Sequence, residues 1–290
     1  MNATNWLDLN EYPFTSRYVN VPDGRMHYVD EGSGDTILMV HGTPTWSFLY
    51  RHLIRGLRDH YRVVAPDNLG FGLSDKPAGY SFRPAEQARN LRAFIAALDL
   101  QNVTLMVHDF GGPIGLSYAL EQPENIRRLV LFNTWLWPLQ NDFQKVVIGQ
   151  FLRSPLGRLL CLRFNFEVNV IVPFAYGDRS RLTRAIHNQY RYPLRDPVAR
   201  RAVWIYACEL LQSRDWYGTL WAQREALRDI PALLLWGMRD PVFGPAYLER
   251  WSQVFQQVQT VPYAQTGHFV QEEQASALLS IITEFMTTTA

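Results

Sequence analysis

Lysine is nearly missing from this 290-residue chain: apart from Lys76 and Lys145, every one of its 28 basic residues is arginine. The formal net charge is only +1, so no overall field of one sign argues for a nucleic-acid partner. Cysteine is scarce as well. Cys161 and Cys208 are too few for a disulfide framework, lack metal-binding spacing, and are expected as reduced thiols. No apolar run reaches the ~18–20 residues of a membrane-spanning helix. The opening residues, M-N-A-T-N-W-L-D-L-N-E-Y, have neither the basic nor the apolar stretch of a secretory leader. The expectation is a cytoplasmic protein with no membrane partner.

What is abundant is apolar and aromatic: 47% hydrophobic and 13% aromatic residues, enough for a large core. Short apolar runs alternate with segments of helical period, the pattern of an α/β protein with a mostly parallel sheet. Strands are expected near 17–21, 25–30, 36–40, 62–66, 103–108, 128–133, 232–237 and 257–262, and helices near 46–58, 84–99, 112–122, 245–255 and 270–286. Between Trp135 and Arg228 the alternation stops. That stretch reads as an inserted helical cap, 135–228, within a core formed by 1–134 and 229–290. The cap holds 13 Arg and Lys145 against seven Asp and Glu, a net of +7 that leaves −6 for the rest. A solvated basic face accounts for this; steering of anionic substrates is the sharper reading.

The segment V-T-L-M-V-H-D-F-G-G-P-I-G-L, 103–116, ends an apolar strand on Asp109 and continues at once into Gly111 and Gly112. A strand that turns sharply into a glycine-rich helix start is a nucleophile elbow, which lifts one side chain above the sheet at a helix N-terminus. Asp109 also suits a plain helix N-cap, and taken alone the two readings compete. Its company favours the elbow. His41-Gly42-Thr43-Pro44-Thr45-Trp46 follows the strand 36–40, where hydrolases of this architecture supply a backbone N–H to an oxyanion hole. The loop Asp67–Asp75 reads as structural, and so do His41 and His108. Of the seven histidines, His268 lies just past the last strand and suits a catalytic base. The acid that orients it could follow either of two strands. Asn133, Thr134 and Trp135 offer no carboxylate, whereas L-L-L-W-G-M-R-D-P-V-F offers Asp240. Ser117, in a partial G-x-S-x-G, falls inside the helix after the elbow and is set aside.

Together V-H-D-F-G-G-P-I-G-L, H-G-T-P-T-W-S-F-L-Y-R, F-N-T-W-L-W-P, L-L-L-W-G-M-R-D-P-V-F and G-H-F-V-Q-E-E resemble the haloalkane dehalogenase branch of the α/β-hydrolase fold. The likeness runs in order from about Arg25 to the end, and is nearest the subgroup whose triad acid is an aspartate after the penultimate core strand. The resemblance implies a mostly parallel eight-stranded sheet flanked by helices, with Asp109 as nucleophile, His268 as base and Asp240 as its partner. The carboxylate would attack saturated carbon to give an ester. Water activated by His268 would hydrolyse it, with the Thr43 and Phe110 amides stabilising the oxyanion. No cofactor or metal is implied. The partner is a small-molecule substrate, and the chain is expected as a monomer or homodimer.

One departure stands out. Such dehalogenases usually hold the leaving halide with the tryptophan after the nucleophile and an asparagine after His-Gly; here those places hold Phe110 and Thr43. Each charge-assisted hydrogen bond lost contributes ~1.5–3 kcal/mol, one to two decades in rate. Trp135, Trp137, Trp204, Trp216 and Trp221 are candidate replacement donors, and Tyr176, Tyr190, Tyr192 and Tyr206 are candidate proton donors for an epoxide. Epoxide hydrolysis and β-lactone opening therefore stand as alternatives, beside a ligand-binding protein without turnover. A substrate pocket is expected between cap and core, lined by Trp46, Phe110, Trp135 and Phe269.

Overall fold

A computed structural model describes residues 6–289. Its strands are β1 Arg17–Val21, β2 Gly24–Glu31, β3 Thr36–Val40, β4 Arg62–Pro66, β5 Val103–Asp109, β6 Ile126–Thr134, β7 Ala232–Gly237 and β8 Val258–Tyr263. They form one sheet in the order β1-β2-β4-β3-β5-β6-β7-β8. The β1–β2 and β2–β4 pairs are antiparallel, and all other pairs are parallel. This is the mostly parallel eight-stranded sheet anticipated above. Strands β3, β5 and β7 are buried at every position. Helices cover both faces of a parallel sheet, so its central strands are apolar throughout rather than alternating.

The flanking helices are α1 Arg51–Leu57, α2 Pro84–Ala97, α3 Gly111–Glu121, and, after the excursion described next, α10 Pro245–Ser252, α11 Val270–Glu273 and α12 Ala275–Thr288. The single helix expected over 270–286 is broken at Gln274. Three consecutive side chains there are committed elsewhere: Glu272 to Arg51 at 2.6 and 2.8 Å, Glu273 to backbone amides, and Gln274 to Thr266 Oγ1 at 2.7 Å. Satisfying all three pulls the backbone out of helical winding.

Between β6 and β7 the described residues are helical, with no strand: α4 Phe143–Arg153, α5 Pro155–Phe164, a π-helical turn Glu167–Ile171, α6 Val172–Ala175, α7 Arg184–Arg191, α8 Pro197–Gln212 and α9 Arg214–Ala222. Side chains cap four of these starts: Asp142, Ser154, Thr183 and Asp196 each accept a backbone N–H two or three residues on. The excursion is tied to the sheet layer through buried polar contacts. The Arg51–Glu272 pair also receives the Tyr190 hydroxyl from α7.

Candidate active site

Asp109 ends β5 with φ +52°. A left-handed backbone costs a non-glycine residue roughly 1–3 kcal/mol, and the surroundings hold it there. A Cβ on Gly111 would stand 2.1 Å from the Val40 carbonyl, and one on Gly112 would stand 1.7 Å from Thr134 Oγ1. A Cβ on Gly42 would meet Asp109 Oδ1 at 2.1 Å. Only missing side chains let the β3 loop, the elbow and α3 approach so closely. Thr134 Oγ1 donates to the Asp109 carbonyl at 2.6 Å and fixes the turn. The plain N-cap reading of Asp109 does not hold: Phe110 occupies the cap position, with no side-chain cap bond. Asp109 Oδ1 instead accepts the Thr43 N–H at 2.8 Å, and the Phe110 N–H also bonds its carboxylate.

His268 and Asp240 converge on this carboxylate. His268 Nε2 lies 3.7 Å from Asp109 Oδ2, and Nδ1 lies 2.7 Å from Asp240 Oδ2. All three side chains are buried. Burial pushes the Asp109 carboxyl up to about 6, against the opposing pull of His268 and of the two amides. For His268 burial alone would lower the pKa; Asp240 and then Asp109 outweigh it, so the imidazole is raised above its ordinary value.

Two residues that sequence reasoning passed over hold this arrangement. Asn133, at the end of β6, donates to Asp240 Oδ2 at 2.8 Å and to the Gly237 carbonyl at 3.0 Å, while its Oδ1 accepts the Gly237 N–H at 2.8 Å. It knits the ends of β6 and β7 and aims the carboxylate. Glu273 accepts the N–H groups of Gly267, Gly177 and Asp178 at 2.9, 3.1 and 2.8 Å. It binds the loop before His268 to the end of α6, and the His268 N–H adds a bond to the Ala175 carbonyl at 2.8 Å. The only sequence signals are an amide closing a buried strand and an acid pair four and five residues past His268. His108 bonds the His268 carbonyl through Nε2 at 3.0 Å, and burial holds it well below the usual histidine pKa, hence neutral. His41 bonds the Gly42 carbonyl and the Asn68 N–H. Both histidines serve structure, in line with their reading above.

A cavity of about 150 Å³ opens onto the triad, bounded by Thr43, Asp109, Phe110, His268 and Phe269 on one side and by Lys145, Ile148, Glu167, Val172 and Leu210 of the helical excursion on the other. Phe110 and Phe269 are on its wall. Trp46 and Trp135 are not. The Trp46 indole donates to the Gln189 carbonyl at 3.0 Å and stacks on Phe48, away from the cavity. Trp135 stacks on Phe243 at 4.6 Å and meets Phe110 edge-on, one layer behind the wall. None of Trp137, Trp204, Trp216 and Trp221 reaches the cavity either, nor do the four candidate tyrosines. The Tyr190 hydroxyl is committed to Glu272, and the Tyr206 ring packs behind Phe110. Among the described residues no cluster of three or more metal-ligating side chains forms, and no helix is long and apolar enough to cross a membrane.

Comparison with known proteins places the chain in a family. Residues 35–275 match the family described as alpha/beta hydrolase fold. Haloalkane dehalogenase 2 of Mycobacterium tuberculosis is 39% identical over 275 residues, covering 94% of this chain and 95% of that protein. A cis-3-alkyl-4-alkyloxetan-2-one decarboxylase of Shewanella oneidensis is 31% identical over 287 residues, covering 96% of this chain and 90% of that one. Among solved structures, a haloalkane dehalogenase from Agrobacterium tumefaciens superposes with a TM-score of 0.85 at 27% identity, covering 95% of this chain and 97% of that one.

Proposed function

Because this chain belongs to the α/β-hydrolase family, in its haloalkane dehalogenase-like branch, we propose that it turns over a small apolar electrophile through a covalent ester of Asp109. The observation that carries this reading is the divided use of one carboxylate. Oδ1 rests on the Thr43 amide at 2.8 Å while Oδ2 faces His268 and an apolar cavity. Oδ2 attacks carbon in line with the departing group, and Oδ1 becomes the ester carbonyl already seated on the Thr43 N–H, with the Phe110 N–H bonding the same carboxyl group. Those donors then stabilise the oxyanion when water attacks, with His268 removing the water proton and Asp240 stabilising the imidazolium. Ester formation also removes the negative charge of Asp109, one of the causes that raise His268. The imidazole then holds a proton less tightly, which favours the neutral base that the second step requires.

In this reading residues 1–134 and 229–290 form the catalytic core and 135–228 the cap, and the protein works in the cytoplasm without a cofactor, as a monomer or homodimer. The first substrate class is the haloalkane. A second class, the strained oxygen ring, is favoured by one observation: the positions that would hold a halide carry the indole-free Phe110 and the hydroxyl of Thr43. Its members are epoxides and β-lactones.

The test is a trap. In His268→Gln the first step proceeds and the second stalls, so intact-mass analysis after exposure to a haloalkane, an epoxide and a β-lactone should find mass added at Asp109 for the substrate class. Asp109→Asn should take up none. Turnover unimpaired in both variants would remove the ester mechanism.

A further inference from the structure

The cavity holds a carboxyl that the two-step scheme does not use. Glu167 begins the π-helical turn, stands on the wall across from Asp109, and is 8% exposed. Its Oε1 is buried without a hydrogen-bond partner. π-Turns are rare windings that concentrate at functional sites. This one places a carboxyl on a wall whose other residues, Lys145 apart, are apolar. Lys145 shares the wall but turns to Asp142, Nζ to Oδ2 3.7 Å, and to the Tyr247 ring. The nearby Cys161 and Cys208 thiols are pushed by burial to about 12 and about 11 and carry no charge. A buried carboxyl with neither cation nor donor is most stable as the neutral acid. Burial first, and then the charge of Asp109, push Glu167 up to about 7.

Resting on the Asp109-ester reading, we propose that Glu167 is the proton donor to the leaving group, and that the electrophile is a strained ring whose oxygen departs as an alkoxide. A halide leaves as a stable anion and needs no proton. An alkoxide is a far stronger base than a carboxylate and does need one. In the first step the Asp109 oxygen bonds to a ring carbon, the carbon–oxygen bond breaks, and its electron pair takes the Glu167 proton. The product is a hydroxyalkyl ester and an ionised Glu167. In the second step water adds to the ester carbonyl as His268 takes its proton, and the collapsing intermediate expels the alcohol with that proton returned. Asp109, left as the acid, passes its proton to Glu167 through water. This restores the carboxylate of Asp109 and the acid form of Glu167. For an epoxide the sum is ring plus water to diol. No candidate tyrosine reaches the wall to take this part.

The test uses the His268→Gln trap with two probes, epoxybutane and bromobutane, timing adduct formation at Asp109 by mass. Adding Glu167→Gln should slow the epoxide adduct by at least ~100-fold relative to the bromide adduct, the usual range for a lost general acid. The epoxide rate should fall tenfold per pH unit above about 7 with Glu167 present, and not with Gln. The bromide rate reports whether the variant is folded, and Glu167→Asp should regain part of the pH dependence. Equal slowing of both probes, an epoxide rate indifferent to Glu167, or an adduct from bromide but none from epoxide would each overturn the assignment while leaving the Asp109 ester standing. Adducts from neither probe would overturn both.

Discussion

Restoring the halide donors that this chain lacks tests how its leaving-group chemistry is set. Phe110→Trp puts an indole N–H beside the nucleophile, and Thr43→Asn exchanges for an amide a hydroxyl that is buried on the cavity wall without a partner. One charge-assisted hydrogen bond to a desolvated halide contributes ~1.5–3 kcal/mol. At ~1.4 kcal/mol per decade, each substitution should speed formation of the Asp109 adduct from bromobutane by roughly one to two decades. The cost falls on stability. The Phe110 ring is 2% exposed and stands 4.7 Å from both the Trp135 and Tyr206 rings, so the larger indole should destabilise the protein by ~1–3 kcal/mol. Single-turnover mass analysis in the His268→Gln background reads the rate, and thermal melting reads the strain. A folded double variant that reacts no faster with bromobutane would refute the account of the missing donors.

Three further outcomes follow from the geometry. The alkylation rate should fall as pH drops through about 6, because Asp109 attacks only as the carboxylate and its burial raises the pH at which that form is lost; a haloalkane pH profile of adduct formation checks it. Glu167, raised from 4.5 to about 7 in the folded protein, holds a proton that the unfolded chain gives up between those values. Its contribution to stability is therefore present below about 4.5 and is lost as pH rises through about 7. Glu167→Gln removes that slope and should be the more stable form at pH 8 by up to about 3 kcal/mol, measured by denaturant titration at two pH values. Glu273→Gln leaves one acceptor oxygen where a carboxylate served three amides. It should lower stability by ~1.5–3 kcal/mol and slow hydrolysis of the ester more than its formation, separable in a single-turnover experiment.

The parts of this molecule that were legible in its sequence are those written in local pattern. Strands β3, β5 and β7 read as unbroken apolar runs because both faces of a parallel sheet are covered. The elbow read as glycines crowding an aspartate, and His268 and Asp240 read from their places just past strand ends. What escaped notice depends on contacts distant in the chain. Glu273 reaches a backbone amide 96 residues away, and nothing near it in sequence hints at that. Asn133 carries no catalytic signal of its own, because at the end of β6 an amide supports the carboxylate that follows β7. Trp46 and Trp135 flank the right motifs, but their buried rings pack on Gln189 and Phe243 and do not reach the cavity wall. Local pattern does not fix such a rotation. Glu167 sits in a π-turn, whose wider winding gives it a direction no helical wheel would show.

The tie between the loop before His268 and the end of α6 limits how this enzyme admits its reactant. Raising the corner at Ala175–Asp178 would strip the imidazole's backbone of its anchor to Ala175 and take two amides from Glu273. The exposed large apolar side chains that border the chamber are Ile148 of α4 and Phe174 of α6, so its rim runs close beside that tie. A motion wide enough to unlatch that corner would take the imidazole off its aim for as long as it lasted.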